Sequence, residues 1–273
     1  MTFIQNALAG RVALITGGGS GIGLGIAKAF AGAGGRLVLA SRDLDKLEGA
    51  VSELRDMGAE ALAVRADVRN FEEVEAAVRS ALDAFGSLDI VIANAAGNFI
   101  VPAAQMSPNA WKVVIDIDLN GTFHCARASY EALKASRFGG RFIAISTTRA
   151  LEGWPGCAHA GAAKAGIMSL VRTLAGEWGP DGIRCNTIAP GAIGDTEGAK
   201  RLYEDRGEAS HQLAQIPLGQ FGKTDDIAKA AIYLCSEAGD YITGADLVVD
   251  GGRERGHSGV GAPKVMARDR GRA

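Results

Sequence analysis

Near the start of the chain, Thr16-Gly17-Gly18-Gly19-Ser20-Gly21-Ile22-Gly23 follows a short β-branched and aliphatic run and opens a segment of helical period. Glycines here allow a tight turn and let the backbone come close to a bound group, while the helix that follows offers N–H groups and a positive dipole end. Together they describe a cradle for the pyrophosphate of a dinucleotide. The strand before and the helix after make this far more specific than a lone glycine triplet. Glycine is abundant overall, 38 of 273 residues, without the proline bias of collagen or disorder.

Aliphatic runs at 12–16, 36–41, 61–65, 88–93, 141–146, 183–189 and 246–249 alternate with helical stretches at 22–33, 44–57, 71–85, 111–134, 160–178 and 225–235. Near-continuous apolar strands imply burial on both faces, hence a parallel sheet covered by helices on each side. Right-handed crossovers then give one fold class: α/β, a single doubly wound parallel seven-stranded sheet of Rossmann type, flanked by helices. One domain is expected over 1–252, with a polar, helix-prone excursion at about 195–215 acting as a lid over the ligand crevice. From 253 to 273 periodicity fades, which predicts a mobile tail.

Several classes are excluded. The net charge is −2 and no basic stripe stands out, which argues against nucleic acid as a partner. No apolar run approaches the ~18 residues that span a bilayer, residues 1–10 lack the features of a secretory signal, and the chain closes on Gly271-Arg272-Ala273 rather than a peroxisomal signal. A cytoplasmic location without membrane contact is expected. Cys125, Cys157, Cys185 and Cys235 are widely spaced, with no CxxC pair and no metal-ligand spacing, and read as buried free thiols.

The end of the second strand bears on the cofactor. An acidic residue there would favour NAD, but the chain offers Ala40-Ser41-Arg42; Arg42 can pair with a 2′-phosphate, so NADPH is favoured. Asp67 after the third strand is placed to reach the adenine edge, and Asn94-Ala95-Ala96-Gly97 after the fourth lines the floor beneath the cofactor.

The glycine loop, Asp67-Val68, Asn94-Ala95-Ala96-Gly97, Lys164, Ile183-Arg184-Cys185-Asn186, Pro190-Gly191 and Asp250-Gly251-Gly252 resemble, in order and spacing, the short-chain dehydrogenase/reductase family over about residues 8–252. The resemblance implies an NAD(P)-dependent oxidoreductase, usually a homotetramer, in which Gly17 to Gly23, Lys164, Ile193 and Thr196 hold the cofactor.

The usual tetrad of that family is Asn, Ser, Tyr and Lys. Here the tyrosine place is Ala160, the serine place Thr147 and the asparagine place Asp118; only Lys164 is retained. Hydride reduction of a ketone leaves an alkoxide that needs a proton donor within reach, and no tyrosine stands four residues before Lys164. A conjugated thioester has other needs. Charge passes to an enolate oxygen and the proton arrives later on carbon, so oxyanion stabilisation matters more than a phenol.

Asn94 to Phe99, Asp116-Ile117-Asp118, His159 to Lys164, Glu177 to Pro180 and Gly194 to Gly198 resemble the 2,4-dienoyl-CoA reductase branch in its peroxisomal form. That likeness implies NADPH-dependent reduction of a 2,4-dienoyl-CoA to a 3-enoyl-CoA in unsaturated fatty acid breakdown, with Asp118 and Lys164 as the active pair. Asp118 would hold a water that protonates the α carbon, and Thr147 either orients the thioester oxygen or simply closes its strand. Arg69, Phe99, Ser107, Asn109 and Arg201 are the implied contacts for the acyl-CoA substrate. His159 is read as a structural or lid-contacting side chain. Two alternatives stay open: another enoyl-thioester or short-chain reductase, and a cofactor-binding protein without turnover.

Overall fold

The computed structural model describes residues 6–200, 205, 207 and 209–254. Its seven strands are β1 Val12–Thr16, β2 Arg36–Ser41, β3 Ala61–Arg65, β4 Ile90–Ala93, β5 Arg141–Ile145, β6 Arg184–Pro190 and β7 Asp246–Val249. All pair in parallel, in the order β3-β2-β1-β4-β5-β6-β7. The chain winds outward from β1 to β3, then returns to lay β4 beside β1. That reversal opens a crevice at the carboxyl ends of β1 and β4, where doubly wound sheets bind ligands.

The helices are α1 Gly21–Gly32, α2 Leu44–Asp56, α3 Phe71–Phe85, α4 Pro108–Ile115, α5 Gly121–Lys134, α6 Arg149–Glu152, α7 Ala158–Trp178, α8 Glu197–Ala199, α9 Ala209–Ala214 and α10 Thr224–Cys235. Side chains alternate along each strand, so each sheet face has its own core. Ile15, Leu37, Leu39, Ile92 and Ile188 pack against α1, α2 and α10 through Ile26, Phe30, Leu54 and Ile232. Val12, Leu14, Val38, Val91 and Phe142 pack against α3, α5 and α7 through Val78, Leu133, Ile167 and Val171. Burying each of the larger side chains contributes about 1.5–3 kcal/mol.

Two elements differ from the sequence reading. The stretch 111–134, expected as one helix, is three pieces: Ser107 caps α4 by accepting the Ala110 N–H at 3.1 Å, and a π-helical turn, Asp116–Asn120, separates α4 from α5. The excursion expected as a lid carries the short helices α8 and α9; residues 201–204, 206 and 208 lie outside the described residues. Arg253 and Glu254, which the sequence reading places in the tail, are packed: Arg253 is 3 % exposed and the Glu254 N–H donates to Asp250 at 2.7 Å. The rest of that segment lies outside the described residues.

Cys125, Cys157, Cys185 and Cys235 are all buried, and burial pushes the Cys125, Cys185 and Cys235 thiols up to about 12. Among the described residues no helix is long and apolar enough to cross a membrane, and no cluster of His, Cys, Asp or Glu could hold a metal ion.

Candidate active site

A cavity of about 600 Å³ lies over the carboxyl ends of the central strands. Asp118 and Lys164 meet in its wall. A π turn inserts one residue into the helical register and re-aims the side chains it carries; here it turns Asp118 inward, to 1 % exposure. Asp118 Oδ1 accepts the Gly97 N–H at 2.7 Å, and Oδ2 lies 3.4 Å from Lys164 Nζ. Lys164, 7 % exposed on α7, also donates to the Ile145 carbonyl at 2.9 Å. The loop after β4, the end of β5 and two helices therefore fix one buried ion pair.

The glycine loop is built to receive an anion. Gly17 has φ +65°, and a Cβ there would stand 2.9 Å from Asn94 Nδ2; a Cβ on Gly23 would meet the Gly17 carbonyl at 2.4 Å. Asn94 braces the loop by donating to the carbonyls of Thr16 at 2.9 Å and Gly17 at 3.3 Å, while the Asn94 and Ala95 N–H groups donate to Thr16 Oγ1. Side chains cap α2, α3 and α4, but Ser20 makes no such bond to α1. The first N–H groups of α1 are thus left to a ligand.

Around this core, Ile22, Asn94, Ala96, Gly97, Gly191, Ile193 and Thr196 line the cavity. Thr196 caps α8 by accepting the Ala199 N–H and donates to the Ile193 carbonyl, at 3.1 and 2.9 Å. Arg42 is exposed beyond β2, with the adjacent Asp43 committed to capping α2. The cradle, the open α1 terminus and the β1/β4 crevice fit a dinucleotide.

A family model described as enoyl-(acyl carrier protein) reductase matches residues 17–254. The chain belongs to the short-chain dehydrogenase/reductase family. Within the family, it is 45% identical over 251 residues to the peroxisomal 2,4-dienoyl-CoA reductase, (3E)-enoyl-CoA-producing, of Saccharomyces cerevisiae, covering 89% of this chain and 84% of that one. It is 44% identical to the peroxisomal 2,4-dienoyl-CoA reductase of Danio rerio, over 92% of this chain and 83% of the relative. A crystal structure of a short chain dehydrogenase from Bacillus anthracis superposes with a TM-score of 0.80 at 42% identity, covering 89% of this chain and 96% of that one. Membership makes the chain an oxidoreductase that uses a nicotinamide cofactor.

Among the described residues no phenol lines the cavity. Ala160 lines the cavity at the tyrosine place. Tyr130 is spent on a 2.5 Å hydrogen bond to Asp181, Tyr233 and Tyr241 are exposed, and Tyr203 lies outside the described residues. Thr147 Oγ1 is engaged, donating to the Pro190 carbonyl at 3.5 Å and accepting the Arg149 N–H at 3.3 Å. Its neighbour Thr148 is 1 % exposed, lines the cavity, and keeps its hydroxyl without a partner. Asn98 lines the cavity too, with both carboxamide atoms buried and unpartnered. The sequence reading missed both; a polar residue beside each motif was the one signal available.

His159 is fully buried, its ring edge-on to Phe99 at 4.5 Å between centroids. Nδ1 accepts the Ala160 N–H at 2.7 Å and Nε2 has no partner; burial holds the imidazole below its usual range. The ring supports the loop that carries Asn98 and Phe99.

The other substrate candidates divide. Phe99 lines the cavity and is partly exposed. Arg69 is clasped to Asp67 by bonds of 3.0, 3.0 and 2.5 Å, and this hydrogen bonding holds the Asp67 carboxyl below its ordinary range. Val68 sends its side chain into the core and its carbonyl to His124 Nδ1, 2.8 Å away. Ser107 is a helix cap and Asn109 is exposed on α4. Arg201 lies outside the described residues.

Proposed function

We propose that this chain reduces 2,4-dienoyl-CoA thioesters to 3-enoyl-CoA with NADPH. The observation that carries the reading is a buried Asp118–Lys164 pair facing the cavity beside Ala160, where the phenol of a ketone reductase would stand. The curated relatives act on this substrate class by name.

When bound, NADPH supplies hydride to the δ carbon of the diene. Negative charge then passes along the conjugated chain to the thioester oxygen. Asn98 is a fitting donor to that oxygen, because a buried amide N–H without a partner loses no existing bond when it donates one to a ligand. The Lys164 ammonium adds positive charge near the enolate and binds the nicotinamide ribose hydroxyls. Asp118 holds the water that gives its proton to the α carbon. Its Oδ1 is already tied to Gly97, so Oδ2, shared with Lys164, is the atom that orients this water. Thr148, whose hydroxyl has no partner, is a further donor for the thioester end.

Arg42 supports NADPH over NADH, since no carboxylate at the β2 end is free to bind a ribose 2′-hydroxyl. Buried reduced thiols suit a cytoplasmic setting. Trp111 and Phe123, 42 % and 48 % exposed on α4 and α5, support subunit contact through these helices in a homotetramer.

The test is NADPH oxidation measured in parallel with 2,4-hexadienoyl-CoA, 2-hexenoyl-CoA and a 3-ketoacyl-CoA. Turnover confined to the first is expected. Turnover of the others instead points to a different reductase, and cofactor binding with no turnover at all ends the enzymatic reading.

A further inference from the structure

A second charged group lines the same cavity. Arg149 on α6 and Arg253 beyond β7 both line it. Glu152 stands between them, 3.6 Å from Arg149 Nη1 and 3.5 Å from Arg253 Nη1. The lid is tied to the same group: Arg149 Nη2 donates to Gln212 Oε1 at 3.2 Å, and Arg253 Nη2 donates to Gln215 Oε1 at 2.9 Å. Three segments distant in sequence converge here, and both Arg253 and Gln212 are buried.

This cluster is a wall rather than a loose fringe. The turn that carries Arg253 is held by Asp250, which accepts the N–H groups of Gly252 at 2.8 Å and Glu254 at 2.7 Å. The guanidinium of Arg253 therefore has no easy route into solvent. Phe99 follows β4, whereas Arg253 follows β7, three strands along the sheet. Both side chains line the cavity.

We propose that Arg149, Glu152 and Arg253 form the end wall that limits the length of the acyl tail, with Arg253 as the specificity-determining residue. The inference rests on the dienoyl-CoA reading, with the CoA arm leaving past Phe99 and the tail running toward β7. An apolar chain that reaches the wall must either strip hydrogen bonds from buried charged groups or displace the lid glutamines that pair with them. Short tails stop before it and meet no such cost.

The experiment compares kcat/KM for 2,4-hexadienoyl-CoA and 2,4-tetradecadienoyl-CoA in the wild type, Arg253→Leu and Arg149→Leu. In the wild type the longer substrate is expected to be the poorer. In Arg253→Leu the ratio of long to short rises about tenfold, carried by KM of the long substrate, the gain of about two buried methylenes. Arg149→Leu shifts the ratio the same way and serves if the first variant does not fold. A wild-type profile flat with chain length, or variants that change both substrates by one factor, overturns the proposal. The wall acts on binding, so Kd values of saturated hexanoyl-CoA and tetradecanoyl-CoA follow the same pattern. Binding that discriminates by length without turnover of any dienoyl-CoA upholds the wall and removes the reading of the reaction.

Discussion

At the scale of single residues, Asp118 is held by two neighbours of different kinds, a backbone N–H and an ammonium. Asp118→Asn preserves its size but removes the charge that pairs with Lys164. Turnover of 2,4-hexadienoyl-CoA is expected to fall about 10²-fold or more, in line with the loss of a positioned proton-transfer group; a steady-state assay that finds near-normal kcat removes the catalytic assignment. His159 makes a different prediction. Its folded pKa lies below the unfolded value near 6.5, so below about pH 6.5 the unfolded state binds more protons. Stability therefore falls as pH drops from 6.5 toward the folded pKa, by at most about 1.4 kcal/mol per pH unit from this group. Urea midpoints measured from pH 7.5 to 5 should show this slope, and His159→Gln should flatten it.

The sequence made Asp118 and Lys164 legible because motif spacing carries them. It did not point to Asn98 or Thr148, because what distinguishes these side chains is the absence of a partner. That absence depends on every segment packed around them and has no local pattern. Thr147 and Thr148 are adjacent and identical in type, yet only the fold shows that one hydroxyl is bonded and the other is not.

At the scale of elements, the π turn between α4 and α5 decides whether the site exists. Periodicity over 111–134 reads as one continuous helix, because one extra residue in a turn barely disturbs an apolar pattern. The turn abuts Gly121, where a Cβ would stand 2.7 Å from Val68 Cγ2. Gly121→Ala should push α5 away from the loop after β3 and cost about 1–3 kcal/mol. Chemical denaturation measures the loss, and an unchanged midpoint shows that Val68 yields freely. The strands were easier to read: β1, β2, β3 and β7 begin and end where their apolar runs do. β4 starts at Ile90, two residues later than its run, and just before it the Asp89 carboxylate accepts the Val12 N–H at 2.8 Å.

At the scale of the whole molecule, the cofactor cradle joins the ends of β1, β2 and β4, so ligand binding should stabilise all of the sheet. NADPH at about 100 times its Kd adds about 2.7 kcal/mol, which for a domain of this size raises Tm by roughly 5–10 °C. NADH at the same concentration should give a smaller shift. Arg42→Ala should abolish the difference between them, and equal shifts in the wild type would remove Arg42 from the cofactor assignment.

The four buried thiols give the molecule an internal clock. With three of them held near pKa 12 and all four screened from solvent, a thiol reagent reacts only with chains that have opened. The sulfurs sit on α5, before α7, in β6 and at the end of α10, so they sample both faces of the sheet. Labelling that proceeds at one rate for all four would report global unfolding, while a fast member would mark the part of the fold that breathes first.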